Sequence, residues 1–206
     1  EVSARFRDSA LVPYRFRDAC YALPETQTFP MMFYRQDILE DLNLDVPQTW
    51  DEAIALASEL QKRNLEFGLP VSMSSLAIFL FQNGGQFYTE DGKASALDTP
   101  EAIQAFKQWT NLYTSYRLLL AYDPANRFRT GEMPVLISDF TLYNTLYVTA
   151  PEIRGLWKMT PVPGTPGADG KLDRSVSGSG TACMLMQQSD NKDKAWDFLK
   201  WWTSAE

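Results

Sequence analysis

Four polar side chains in a row, Glu25-Thr26-Gln27-Thr28, interrupt an otherwise apolar segment between Pro24 and Pro30. A central strand excludes proline and has little use for four consecutive polar residues. A connection between two domains, lined with ligand-facing groups, accommodates both. Glu25 and Gln27 are therefore candidates for hydrogen bonding to a polar ligand, against the plainer reading of an exposed, proline-punctuated loop. Ser138 and Asp139 stand between an apolar strand and a helix, where a carboxylate caps the first turn or meets a polar ligand. Phe140 and Tyr143, just beyond, offer flat apolar faces to a ligand or belong to the core. Ser72 and Ser74 open another helix, as caps or as ligand-facing hydroxyls. Glu25 with Asp139 also makes a carboxylate pair of the kind used by carbohydrate-active hydrolases. "SGSG", Ser177–Gly180, has the small residues of a phosphate loop. It lacks the following Lys and leads into an apolar strand instead of a helix, so it is not a P-loop.

Other chemistry is excluded by what is missing. The 206 residues contain no histidine, which removes Ser-His-Asp and Cys-His catalysis and the commonest zinc and iron ligand sets. Cys20 and Cys183 are far apart and lack metal-type spacing, so they read as two small buried residues or as one disulfide. No metal and no covalent cofactor is expected. The net charge of −7 carries no basic block, which argues against nucleic acid and weakly favours a secreted or cell-surface protein. Nothing approaches the roughly 18 consecutive apolar residues of a membrane helix. With no signal peptide and no initial Met, the chain reads as an internal piece or a processed product.

The elements that must position these residues are well signalled. "TWDEAIALASELQKRN" is a helix with Thr49 as N-cap and Glu52 as its return partner, and with Trp50, Ala53, Ile54, Ala57 and Leu60 on one face. "FGLPVSM" reads as a short strand, "SSLAIFLFQNGG" as an apolar helix closed by Gly84-Gly85, and "QFYTEDGKASAL" as a hairpin turning at Asp91-Gly92. A capped helix follows from Pro100, with Ile103, Phe106, Trp109 (or Trp109 with Tyr113) and Tyr116 as its apolar stripe. A helix ending at Gly131 precedes a strand over Met133–Ser138 and a helix starting near Asp139. "PVPGTPGADGK" is kept irregular by its prolines and glycines. The last strand, "SVSGSGTACMLM", has a polar first half. The final helix carries Ala195, Trp196, Leu199 and Trp202 on one face. Helices alternating with short apolar strands argue an α/β fold.

Several segments together resemble one family. Tyr21-Ala22-Leu23-Pro24, Tyr34-Arg35-Gln36-Asp37-Ile38 and Pro47-Gln48-Thr49-Trp50-Asp51-Glu52 follow the order found in the extracellular solute-binding proteins of ABC importers, the maltose- and oligosaccharide-type family 1. "FRTGEMPVLISD", "MTPVPGTPGADGK" and "NKDKAWDFLKWWTSAE" are similar to later family motifs. The resemblance runs from about Ala10 to Glu206. It departs at the ligand-facing turn, where Asp139, Phe140 and Tyr143 replace tryptophans.

The resemblance implies a periplasmic-binding-protein-like (type II) α/β lobe with a central sheet flanked by helices. Residues 1–29 become a first-lobe and hinge segment, 30–176 the second lobe, and 177–206 the returning hinge strand and a first-lobe helix. The function implied is a non-catalytic solute receptor holding a carbohydrate, of oligosaccharide class, in a cleft between two lobes and delivering it to ABC permease subunits. Such a protein works outside the membrane, as an anchored lipoprotein or in the periplasm. Glu25 and Gln27 then face the cleft from the hinge, with Ser177 and Ser179 on the returning strand. The strand around Leu23–Phe33 is expected beside Thr181–Met186. The family is roughly twice this length. The chain alone is expected to bind sugar weakly and to expose a sticky aromatic surface covered by Ala10–Tyr21, a second copy, or both.

Overall fold

The computed structural model describes residues 2–17, 19–167 and 169–204. Along the chain run β1 (Leu23–Thr28), β2 (Pro30–Arg35), α1 (Gln36–Asp41), α2 (Trp50–Gln61), β3 (Phe67–Gly68), α3 (Met73–Gln82) and α4 (Pro100–Thr114). They are followed by α5 (Pro124–Thr130), β4 (Val135–Asp139), α6 (Leu142–Thr149), β5 (Trp157–Thr160), β6 (Ser179–Cys183) and α7 (Lys192–Trp202). Two compact units result, residues 29–177 and residues 1–28 with 178–206.

Unit 29–177 is built on a four-stranded sheet in the order β3-β4-β2-β5. β2 runs antiparallel to both neighbours, and β3 lies parallel to β4 with Phe67 opposite Val135. Strand alternation sorts the apolar residues onto two faces. Met32, Val135 and Ile137 join Trp50, Leu60, Ile78 and Leu112 in one core, under α2, α3 and α4. Phe33 and Leu136 join Phe128, Leu142 and Leu146 in the other, under α5 and α6. Helices on both faces explain why β2 and β4 read as nearly continuous apolar runs.

The ends of these helices follow local chemistry. Thr49 and Glu52 form the expected capping box. Thr99 caps α4 ahead of Pro100 at its first position, and Gly131, at φ +83°, closes α5 in the left-handed region. Arg35 is buried, binds both carboxylate oxygens of Asp37, and donates to the Phe128 and Arg129 carbonyls at the end of α5. That charge-assisted hydrogen bonding holds the Asp37 carboxyl below its ordinary pKa. Gln82, also buried, receives Trp50 Nε1–H and the Thr165 hydroxyl and donates to the Pro163 and Ser175 carbonyls. It pins residues 163–175, which form a two-residue-strand hairpin (Thr165–Pro166 with Leu172–Asp173) where an irregular loop was expected.

Two further expectations fail. The buried face of α4 is Ala102, Ala105 and Leu112, and of the expected stripe only Trp109 and Tyr113 pack against the core, while Ile103, Phe106 and Tyr116 are exposed. α4 lies against α3, and alanines let two helices approach closely where larger side chains would hold them apart. The two cysteines are neither bonded nor fully buried: Cys20 is exposed and Cys183 half-buried.

In the other unit β1 pairs antiparallel with β6, from Thr28 opposite Ser179 to Leu23 opposite Cys183. The strand expected over Leu23–Phe33 is thus two strands, β1 and β2, and β1 does lie beside Thr181. The register shifts between Thr181 and Ala182, so Glu25 is the extra residue of a bulge next to Pro24. A Cβ on Gly180 would run into the Thr26 carbonyl, so this close approach of the two strands requires glycine.

Candidate functional site

In unit 29–177 the parallel strands β3 and β4 end side by side, an arrangement that places ligand sites of α/β sheets at carboxyl strand ends. After β3 the chain passes through Leu69 and Pro70 to Ser72, the N-cap of α3. A cavity of about 300 Å³ opens there, with Ser72, Ser74 and Asp139 among its lining residues. These three come from segments some 65 residues apart and meet only through the β3–β4 pairing.

Their roles differ. The Ser72 hydroxyl accepts the Ser75 N–H at 3.2 Å, and Ser75 Oγ accepts the Ser72 N–H at 3.1 Å. Ser72 is thus committed to capping, with Ser75 in the return position usually held by Glu or Gln. Ser75, buried, also takes Trp109 Nε1–H and donates to the Pro70 carbonyl at 2.6 Å. Tyr113 donates to the Leu69 and Pro70 carbonyls from the other side. Burial pushes its hydroxyl up to about 12, so it stays a donor at every physiological pH. The backbone leading into the cavity is therefore held rigidly. Ser74 is exposed, and its hydroxyl has no partner among the described residues. The Asp139 carboxylate is likewise exposed and unpartnered. An acceptor, a hydroxyl and the N–H groups of a helix start suit polyhydroxy ligands.

Asp139 does not cap α6, contrary to one of its two expected roles. The Phe140 N–H donates to the Phe29 carbonyl at 2.9 Å and prolongs the β2–β4 ladder. The helix therefore starts only at Leu142, with no side-chain cap from Thr141.

The residues next to Pro30 and Asp139 in the chain, Phe29 and Phe140, begin a row of aromatic rings. Phe29 stacks on Phe140 (centroids 5.6 Å apart), Phe140 on Tyr143 (6.2 Å, planes within 5°), and Tyr143 on Tyr147 (6.1 Å). Trp157 meets Tyr143 edge to face. Phe29 and Tyr147 were absent from the sequence candidates. The spacing Phe140, Tyr143, Tyr147 is a helical i, i+3, i+7 pattern that would have found the second; nothing local marks the first.

The remaining candidates lie in the other unit or at its border. Glu25 has both carboxylate oxygens engaged, Oε1 by Trp202 Nε1–H at 2.7 Å and Oε2 by the Thr181 hydroxyl at 3.2 Å. It ties α7 to the β1–β6 ribbon. Gln27 and Ser179 are exposed on that ribbon, and Ser177 is half-buried at the end of unit 29–177. Cys183 carries a thiol pushed up in pKa by burial and by the Glu25 charge. Among the described residues no cluster of three or more His, Cys, Asp or Glu is arranged to hold a metal, and no helix is long and apolar enough to cross a membrane.

Comparison with known proteins bears on family and fold. Residues 3–206 match the family model described as bacterial extracellular solute-binding protein. The chain is 29% identical over 117 residues to the putative ABC transporter periplasmic-binding protein YcjN of Escherichia coli K12, covering 52% of this chain and 27% of that one. A Thermotoga lettingae solute-binding protein bound with α-D-tagatose superposes with a TM-score of 0.82 at 22% identity, over 99% of this chain and 55% of that one. Maltose-bound MalE3 of T. maritima gives 0.82 at 21% identity, over 98% and 55%. The acarbose-binding GacH receptor of Streptomyces glaucescens gives 0.81 at 18% identity, over 98% and 53%. The chain thus spans about half the length of these solved structures and about a quarter of the curated relative.

Proposed function

The chain belongs to the family of bacterial extracellular solute-binding proteins and has the fold of type II periplasmic binding proteins, and from that premise we propose that it is the carbohydrate-binding component of an ABC import system. Two observations support this reading: the unpartnered Ser74 hydroxyl and Asp139 carboxylate on one cavity, and the stacked row Phe29–Phe140–Tyr143–Tyr147, whose Phe140 follows Asp139 in the chain. Sugars present hydroxyls at their edges and C–H groups on their faces, and these two sets of groups suit one each. In this reading residues 30–176 are the second lobe, and residues 1–29 and 177–206 are hinge and first-lobe segments. Gln27, Ser177 and Ser179 are accessory hydrogen-bonding candidates, with Glu25 shaping the ribbon that carries Gln27 and Ser179. The ligand is an oligosaccharide-class solute, bound reversibly and passed to permease subunits. The protein acts outside the cytoplasmic membrane, in the periplasm or held by a lipid anchor.

The test is an NMR titration of the chain with mono- and oligosaccharides, which reads affinities down to the millimolar range. The reading expects shifts centred on Ser74, Asp139, Phe140 and Tyr143, with the sugar recovered intact. Shifts elsewhere, or none with any sugar, would refute it. The rival, a carboxylate-dependent hydrolase, requires sugar turnover that Asp139→Asn abolishes.

A further inference from the structure

The row of stacked rings runs on from Phe140 to Tyr143 and Tyr147 of α6. Tyr143 and Tyr147 on α6 form one wall of a second cavity, of about 360 Å³, and Trp157 and Met159 of β5 form another. Trp157 is wedged against Phe33, Phe128 and Tyr143, so this wall is fixed by the core. Arg154 and Lys158 also line the cavity, and no acidic residue does. The Arg154 guanidinium lies over the Tyr147 ring, 4.5 Å from its centroid, and Nη2 donates to the Tyr147 carbonyl at 3.4 Å. Gly155, at φ +84°, makes the turn that brings the chain from Arg154 into β5 and so sets Lys158 against the same cavity. Among the described residues neither cation has an ion-pair partner, whereas nearby Arg129 is paired with Glu152 at 3.0 Å. On a chain of net charge −7, two unpaired cations around one aromatic cavity are a local feature and not the general character of the surface.

We propose that this second cavity is a subsite for an anionic group, a carboxylate or a phosphate ester, carried by a sugar whose neutral rings lie on the Phe140–Tyr143 row. The solute class would then be an acidic saccharide. The proposal rests on the carbohydrate reading above and extends it. A guanidinium stacked on a ring keeps its N–H donors at its edges, where they match the paired oxygens of carboxylate or phosphate. The aromatic walls exclude water from one side and strengthen the attraction.

The experiment titrates the chain, by NMR, with trigalacturonate, galactotriose, galactose 1-phosphate and maltotriose. At low ionic strength trigalacturonate or galactose 1-phosphate should bind about ten-fold tighter than galactotriose, and the Trp157 indole resonance should move only with the acidic ligands. The advantage should fall as salt is added. Arg154→Met and Lys158→Met should each shrink it to about two-fold or less while leaving galactotriose or maltotriose binding unchanged. Preference for the uronate would assign a carboxylate site, and preference for the sugar phosphate a phosphate-ester site; either supports the proposal. Equal affinity for acidic and neutral sugars, or a preference that survives both variants, overturns the subsite and leaves carbohydrate binding intact. Binding of maltotriose alone does the same. Silence from all four sugars overturns the carbohydrate reading and the subsite together.

Discussion

Arg35 shows how much one side chain can hold in this fold. It is almost fully buried, chelates Asp37, and satisfies carbonyls at the end of α5. Asp37→Asn should cost roughly 1.5–3 kcal/mol, the range for hydrogen bonds to a charged partner. At roughly 2–4 °C per kcal/mol for a chain of this size, that is readily seen in a melt. The pH dependence follows from the lowered pKa of Asp37. A depressed carboxyl stabilises the fold at any pH above its unfolded pKa of about 3.9, and the contribution disappears as pH falls through the folded value. The stability gap between wild type and Asp37→Asn should therefore be flat from about pH 5 to 7 and shrink below about pH 4. A gap that grew in acid would contradict the assignment. Tyr122 is the opposite case. Its hydroxyl is buried and has no partner among the described residues, lies close to where a Cβ on Gly68 would sit, and burial raises its pKa. Tyr122→Phe removes an unsatisfied group, so it should leave stability unchanged or raise it by about 1 kcal/mol in chemical denaturation. A loss larger than that would mean the hydroxyl has a partner in solution.

Among the elements, α2 and α6 begin differently, and the difference is measurable. Thr49 caps α2 reciprocally with Glu52, whereas Thr141 makes no cap to α6. Thr49→Ala should cost about 1 kcal/mol and Thr141→Ala close to nothing, compared by urea midpoints at constant slope. Equal losses would show that the cap is not what anchors α2. The same contrast explains what the sequence made legible. "TWDE" carries a cap and a helical period in four residues, so α2 reads correctly from local information. α4 carries two apolar stripes, and hydropathy selects the larger residues, Ile103 and Phe106. The fold buries the smaller ones, Ala102 and Ala105, because α3 must come close. That choice depends on a partner helix and cannot be read from α4 alone. The site divides in the same way. Phe140 and Tyr143 were visible from position and type, and Ser74 and Asp139 were named singly. That Ser74 and Asp139 share a cavity depends on the parallel register of β3 and β4, which no local pattern encodes. The partners of Glu25 were illegible for a related reason. Its carboxylate is engaged by Trp202, some 177 positions away, through a bulge that turns it toward α7.

For the molecule as a whole, the strongest unspent surface energy lies on α7. Leu199 is its one buried residue among those described, while Phe198, Trp201 and Trp202 stand 54%, 60% and 50% exposed, with Phe198 stacked on Trp202. Ala10–Tyr21 does not cover them: Val12, Phe16 and Tyr21 of that segment are themselves more than 60% exposed. Burying large aromatic side chains is worth roughly 1.5–3 kcal/mol each before association costs are subtracted. A helix face of this kind is also self-complementary under two-fold symmetry, since stacked rings on one copy can meet the same rings on another. The chain should therefore self-associate, with a sedimentation coefficient that rises across a dilution series from low to high micromolar. Trp201→Glu should abolish the concentration dependence while leaving the far-ultraviolet circular dichroism unchanged, because Trp201 is exposed and supports no core. Asp139→Asn, on a different face of the chemistry and in the other unit, should leave association untouched. A wild-type chain that sediments as a monomer throughout would mean that the α7 aromatics are tolerated in water or sheltered by the chain itself in solution.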